Sequence, residues 1–243
     1  MLSEKGNVQA NLIRKGEDKL TGQEYDKAFQ YIYRLILDGT VRPGDRLPTE
    51  RLIAETLGIS RNSTREALSI FLAMGMIERR QGSGNYVAGN FGPALQQMIY
   101  MMLAVNTTNQ NDICTFRKYM EKAVCAALNE ADKEENWYIR LEEILNRPVR
   151  TIEEEIERDR DFHYGLICET KNTFWITIMD AVVEVYREWI DRCLRKVSEA
   201  VRGELGQIHK DILEGLKKGD MQRCRAAIDR HYDIIDAAME VER

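Results

Sequence analysis

Apolar positions recur along most of this chain with a helical period, and strand-like alternation is confined to one short stretch. Between Glu24 and Asp38, Ala28, Ile32, Leu35 and Ile36 fall on one helical face, and Gly39 with Pro43-Gly44 closes the element. Two short amphipathic helices then meet at the turn Leu57-Gly58-Ile59-Ser60, and the second repeats Ala67, Leu68, Phe71 and Leu72 at helical spacing. After Gly75 the period shortens. Met76 to Arg80 and Asn85 to Val87 read as two strands joined by the turn Gln81-Gly82-Ser83-Gly84, which makes a wing. Gly89 to Pro93 reads as a linker. From Pro93 onward only amphipathic helices are expected, at about 93–105, 109–130, 134–145, 151–170, 173–197, 201–218 and 221–241, with breaks clearest at Pro148 and Gly219-Asp220. Residues 1–22 are polar and aperiodic. The pattern therefore predicts a mainly α protein: a flexible extension at 1–22, a winged helix-turn-helix at 23–89, and an all-α antiparallel helical bundle at 90–243.

The helix-turn-helix carries the first candidate chemistry. Ser60 is placed to cap the second helix, so that Arg61, Asn62, Thr64 and Arg65 occupy its first turns while its apolar face packs behind. A helix presented in this way fits the major groove of double-stranded DNA, with Ser60, Arg61, Asn62, Thr64 and Arg65 expected to face it. The stretch resembles the winged helix-turn-helix of the GntR family of bacterial transcription regulators. The matching residues are Gly44, Leu47-Pro48, Glu50-Arg51, Ser60-Arg61, Arg65-Glu66-Ala67-Leu68, Gly75 and the wing Gly82, Gly84, Tyr86-Val87. The resemblance implies that Arg51, Arg61 and Arg65 contact DNA and that the wing tip Gln81-Gly82 approaches the minor groove. Arginine suits either contact, since its planar fork grips a phosphate or pairs bidentately with a guanine edge. The chain departs from the family at Asn62-Ser63-Thr64, where a Thr-Pro-Val-like triplet is common.

Composition narrows the setting. Of 243 residues, 44% are hydrophobic and 31% charged, ordinary for a soluble globular protein. No cationic segment precedes an apolar run at the start, and the most hydrophobic stretch, Met98 to Val105, is too short to span a bilayer. A cytoplasmic location without membrane contact is expected. Cys114, Cys125, Cys168, Cys193 and Cys224 form no CxxC pair and read as reduced core residues. Residues 1–90 hold 13 Lys and Arg against 11 Asp and Glu, and the remainder holds 22 against 29. A slightly basic head on an acidic protein fits site-specific DNA binding, with a homodimer doubling the phosphate contacts.

The second candidate lies in the helical half, which contains all three histidines. Asp159 and His163 are four residues apart on a face shared with Ile152, Ile156 and Leu166. His209 and His231 flank Gly219-Asp220 almost symmetrically, each roughly 15–17 Å from the turn at about 1.5 Å per residue, so they can meet across a helical hairpin. A buried carboxylate needs compensation that neutral imidazoles supply only in part. A divalent cation supplies it, Zn²⁺ foremost, with Ni²⁺, Mn²⁺ or Fe²⁺ as other choices for this donor set. The pattern is also similar to the FCD effector-binding domain of FadR-type GntR regulators. In its metal-binding members the residues matching Asp159, His163, His209 and His231 are the ligands.

Arg117 shares the stripe of Ile113, Met120, Val124 and Leu128 and precedes Glu121 by four residues. Spacing alone leaves it either paired with Glu121 or free to clamp a carboxylate; the family's Arg-x-x-x-Glu pattern implies an effector contact. Asn172 matches the Asn of a family Gly-Asn pair, although Lys171 replaces the Gly, and joins Arg117 as an effector candidate. The leading expectation is a homodimeric, non-enzymatic regulator that binds operator DNA and responds to a small carboxylate near the metal. Alternatives are a metal-dependent hydrolase or isomerase fused to a DNA-binding domain, and a direct metal sensor.

Overall fold

A computed structural model of the protein describes residues 23–131 and 136–240. The extension expected at 1–22, the start of the helix expected from 134 and the end of that expected to 241 lie outside the described residues. The chain divides into two compact units between Ala94 and Leu95.

The first unit contains α1 (Glu24–Leu37), α2 (Glu50–Leu57), α3 (Arg61–Ala73), β1 (Ile77–Arg80) and β2 (Gly84–Val87). Thr49 caps α2 by accepting the Leu52 amide at 3.2 Å, and α2 ends at Gly58 with φ of +63°. That left-handed conformation favours glycine and turns the chain sharply into α3. Ala28, Ile32, Ile53, Ala67, Leu68 and Phe71 are fully buried, and Phe29 stacks on Phe71 at 4.5 Å. The two strands pair antiparallel with Ile77 opposite Val87 and Arg80 opposite Gly84. Burial of Ile77 and Val87 anchors the base of this wing, while Gln81 and Gly82 stay exposed at its tip.

The second unit holds the rest of α4 (Gly92–Ala104) with α5 (Gln110–Glu130), α6 (Ile139–Asn146), α7 (Ile152–Glu169), α8 (Thr173–Lys196), α9 (Glu199–Lys218) and α10 (Met221–Glu240). Capping boxes at Asn109/Asp112 and Thr151/Glu154 start α5 and α7, satisfying amides that a helix leaves open at its first turn. The α9–α10 hairpin turns at Gly219, φ +69°. Its two helices lie along each other, α5 packs on α10, and α7 packs between α6 and α8. Gly165 lets α6 come close: a Cβ there would lie 2.7 Å from Leu141 Cδ2. Four of the five cysteines are buried, Cys168 is half-buried, and none is in a disulfide. Among the described residues no helix is long and apolar enough to cross a membrane.

Candidate functional site: a recognition head and a buried histidine centre

In the head, Ser60 caps α3 by accepting the Ser63 amide at 3.0 Å. Glu24, from the first turn of α1, receives the Ser60 amide at 3.2 Å and the Ser63 hydroxyl at 2.9 Å, so the start of α3 is tied to α1 as well as to its own cap. These hydrogen bonds, that of the Ser60 amide first, hold the Glu24 carboxyl below its ordinary pKa. Arg61 and Asn62 project from this end and are exposed. Arg65 donates to Glu50 Oε2 from Nη2 at 3.1 Å and Nε at 3.3 Å, and Arg51 lies 3.3 Å from Glu55.

Thr64 corrects the sequence-based expectation. It is fully buried and donates its hydroxyl to the Ser60 carbonyl at 3.3 Å, so it packs into the head instead of reaching DNA. The spacing contains the reason, since Thr64, Ala67, Leu68 and Phe71 form one inward stripe at i, i+3, i+4 and i+7. The fold also adds residues that motif reasoning missed. Arg46, Arg79 and Arg80 join Arg51 and Arg61 around a concavity of about 1230 Å³, counted out to its open mouth, where Glu50 is the sole carboxylate among the described residues. Arg46 reaches the wing because Gly84 has no side chain: a Cβ there would sit 3.1 Å from Arg46 Nε. Arg80 stacks on the Tyr86 ring at 4.0 Å. An arginine-rich concavity of this sign and curvature matches a phosphate backbone.

In the bundle, α7, α9 and α10 bring the expected four residues together. His163, His209 and His231 are 5%, 3% and 3% exposed. Their Nε2 atoms lie 3.8, 3.4 and 3.9 Å from the same oxygen, Asp159 Oδ1. The ring centroids of the three pairs are 4.8–4.9 Å apart. One potential ligand atom from each of the four residues falls within 4.8 Å of every other. An ion with bonds of about 2.1 Å holds its ligand atoms within about 4.2 Å of one another, so the four side chains need draw in by only roughly half an ångström to grip one. All three Nε2 atoms are buried without a hydrogen-bond partner. Polar atoms left open in a core are costly, by about 1–3 kcal/mol each, and convergent open nitrogens beside a carboxylate fit a divalent cation.

Electrostatics separates the three rings. Burial pushes His209 well below and His231 below the ordinary histidine pKa, favouring the neutral, ligating forms. Burial acts on His163 in the same direction, but the Glu121 carboxylate, whose Oε2 lies 3.0 Å from its Nδ1, outweighs this and raises it. Burial would raise the carboxyls too; the facing imidazoles hold Asp159 well below its usual range, and Glu121 is held at about 2, by His163 above all. Tyr232 donates its hydroxyl to the same Glu121 oxygen at 3.0 Å. Glu121 is therefore an orienting carboxylate behind His163, a role that helical spacing to Arg117 did not reveal.

Arg117 does not pair with Glu121, although both are buried. Its guanidinium lies 4.6 Å over the Tyr186 ring, with Nε buried and unpartnered. Together with Asp159 and His163 it lines a cleft of about 400 Å³, counted out to its mouth. Asn172 does not line this cleft. Its carboxamide oxygen accepts the Phe174 and Trp175 amides at 3.1 and 3.2 Å, so the effector contact expected there is corrected to capping α8.

Comparison with known proteins agrees with both halves. The family model described as "Bacterial regulatory proteins, gntR family" matches residues 24–87, and that described as "FCD domain" matches residues 112–234. The Uxu operon regulator of Haemophilus influenzae is 26% identical over 232 residues, covering 92% of this chain and 84% of its own. The HTH-type transcriptional regulator LutR of Bacillus subtilis is 27% identical over 210 residues, covering 83% and 94%. Among solved structures, Streptococcus agalactiae GntR superposes with a TM-score of 0.62 at 17% identity, over 87% of this chain and 98% of that one, a likeness of fold.

Proposed function

Because the chain belongs to the GntR family of bacterial transcription regulators and carries an FCD domain, we propose that it acts on operator DNA as a homodimer whose affinity is set by a small organic acid bound beside a divalent metal ion. It is a DNA-binding regulator and not an enzyme, as its membership in the family implies. The observation that carries the effector reading is the meeting of three open, buried imidazole nitrogens and Asp159 with a cleft whose wall holds the unpaired Arg117. Asp159, His163, His209 and His231 would hold the ion, which would supply positive charge to offset Asp159 and a Lewis-acidic face for a carboxylate. Arg117 would grip the acid by its planar fork. Arg51, Arg61, Asn62 and Arg65 would meet DNA, with Gln81 and Gly82 at the minor groove. Homodimerisation is supported by Met98 and Met101 of α4 and the adjoining Val105, 62%, 63% and 57% exposed, an apolar surface suited to a second copy.

Reciprocity supplies the test. A DNA fragment selected for binding from random sequence is titrated against metal-loaded protein in the presence of short carboxylic acids. An acid that changes DNA affinity by some factor must have its own affinity changed by that factor. An acid that binds tightly in the cleft yet leaves DNA affinity unchanged would remove the regulatory reading.

Proton release tests the histidine assignment. At pH 6.5, the unperturbed histidine value, raised His163 is mostly protonated while lowered His209 and His231 are mostly neutral. His163 must give up its proton before Nε2 can ligate, so calorimetry in buffers of differing ionisation enthalpy should find about one proton released per ion. Release falls towards zero as pH rises above the folded value of His163, and metal affinity weakens as pH falls. Release of two or three protons at pH 6.5 would contradict the assignment.

A further inference from the structure

The cleft beside the histidine centre is formed by two facing helical stripes of the same spacing. On α7 the stripe is Ile156, Asp159, Arg160 and His163. On α8, Tyr186, Arg187 and Ile190 repeat the interval. Arg117, from α5, contributes the deepest cation. Metal ligation and one carboxylate clamp account for Asp159, His163 and Arg117, but not for Arg160. Its side chain is half-buried on the cleft wall, and among the described residues it has no acidic partner within ion-pair distance and no hydrogen bond. Arg187 lies at the rim, held only by an exposed pair with Glu184 at 3.4 Å. Apart from Asp159, Asp191 is the only carboxylate among the described residues that line it, against three guanidinium groups. A guanidinium that projects into a cleft without a partner is open to an incoming anion, and its planar fork matches a carboxylate bidentately.

Resting on the effector reading above, we propose that the effector is a short dicarboxylate, with one carboxylate at the metal and Arg117 and the second received by Arg160, assisted from the rim by Arg187. Arg160 thereby sets specificity: it selects acids with an anionic group at both ends over acids with one.

The test uses metal-loaded, full-length protein and matched probes: succinate, glutarate and adipate, each against its monoamide. At one chain length the diacid should bind at least about tenfold more tightly than its monoamide, the loss expected for one charge-assisted interaction. Arg160→Gln should remove that preference, lowering diacid affinity far more than monoamide affinity and leaving metal content unchanged. Arg160→Lys, which keeps the charge but loses the fork, should retain part of the preference and guards against a Gln variant that folds poorly. Equal binding of diacid and monoamide at all three lengths, or a preference that survives Arg160→Gln, overturns the assignment of Arg160 and leaves an effector with a single carboxylate. If none of the six acids binds, the reading of the cleft as an acid-binding site falls, and this inference with it.

Discussion

Chelator treatment of protein loaded with a divalent metal ion should lower its melting temperature by about 8–16 °C. An ion held at ~1,000 times its Kd stabilises the folded chain by about 4 kcal/mol, and each kcal/mol corresponds to about 2–4 °C for a chain of 150–250 residues. The physical origin is the core itself. Three imidazoles and Asp159 converge there with their Nε2 atoms open, so the metal-free state carries unsatisfied polar groups that the ion would relieve. A second, less intuitive outcome follows for His231, which has both ring nitrogens buried without partners. His231→Leu should abolish metal binding, yet leave the metal-free protein more stable than the metal-free parent by about 1–3 kcal/mol, because the open polar atoms are gone. His209→Ala should also lose the ion, by at least about 100-fold in affinity, the upper end of what outer-sphere changes cost, but it leaves a cavity and gains nothing. Thermal melts with and without chelator, together with metal content, check all three. A His231→Leu protein that still shows a chelator-dependent melt would sink the four-ligand assignment.

Arg61→Ala should weaken specific DNA binding by about 1–3 kcal/mol, or 5- to 150-fold. Arg61 stands exposed on the first turn of α3, beside a concavity lined by four further arginines and, among the described residues, a single carboxylate, and among those residues it forms no ion pair. Which group of the DNA it meets is readable from salt. If Arg61 grips a phosphate, its removal lowers the slope of log affinity against log salt by about one; if it reads a base, its removal changes sequence preference with little change in slope. Arg65 should behave differently, since it must leave Glu50 before it can meet DNA. That pair is partly exposed and contributes only about 0–1 kcal/mol, so Glu50→Gln should strengthen DNA binding in the parent but not in Arg65→Ala. Fluorescence titrations of the single and double variants settle the cycle. Undiminished affinity in both Arg61→Ala and Arg65→Ala would place the recognition surface elsewhere.

Much of this was legible before any fold was known. Periodicity located the head, the wing and the helical half because a helix and a strand bury every third-to-fourth and every second residue respectively, and those intervals are written in the order of residues. Capping was legible too: Ser60 does what a serine before an apolar helix is expected to do. Helical arithmetic from Gly219-Asp220 even placed His209 opposite His231, since the two arms of a tight hairpin run at equal rise.

Where one residue type serves two purposes, the same arithmetic misled. Thr64 belongs to a polar first turn and also to the inward stripe of α3, and packing of α3 in the head decided in favour of the stripe. Asn172 matched a pattern, but its position before α8 gave its oxygen to two helix amides. Arg117 and Glu121, four apart, could have paired; instead Glu121 turns to His163 and Tyr232, and Arg117 to Tyr186 and the cleft.

By itself, the amino-acid sequence determined the helical class, the winged head and the four residues of the histidine centre, because each rests on spacing within one element or on either side of one turn. Only the tertiary structure decided the partners: Glu121 behind His163, Arg46 beside the wing, and Arg160 on the cleft wall with no partner among the described residues. Those relations join residues from helices and loops whose relative rotation is set by the packing of whole faces, and no interval along a single chain segment encodes that rotation.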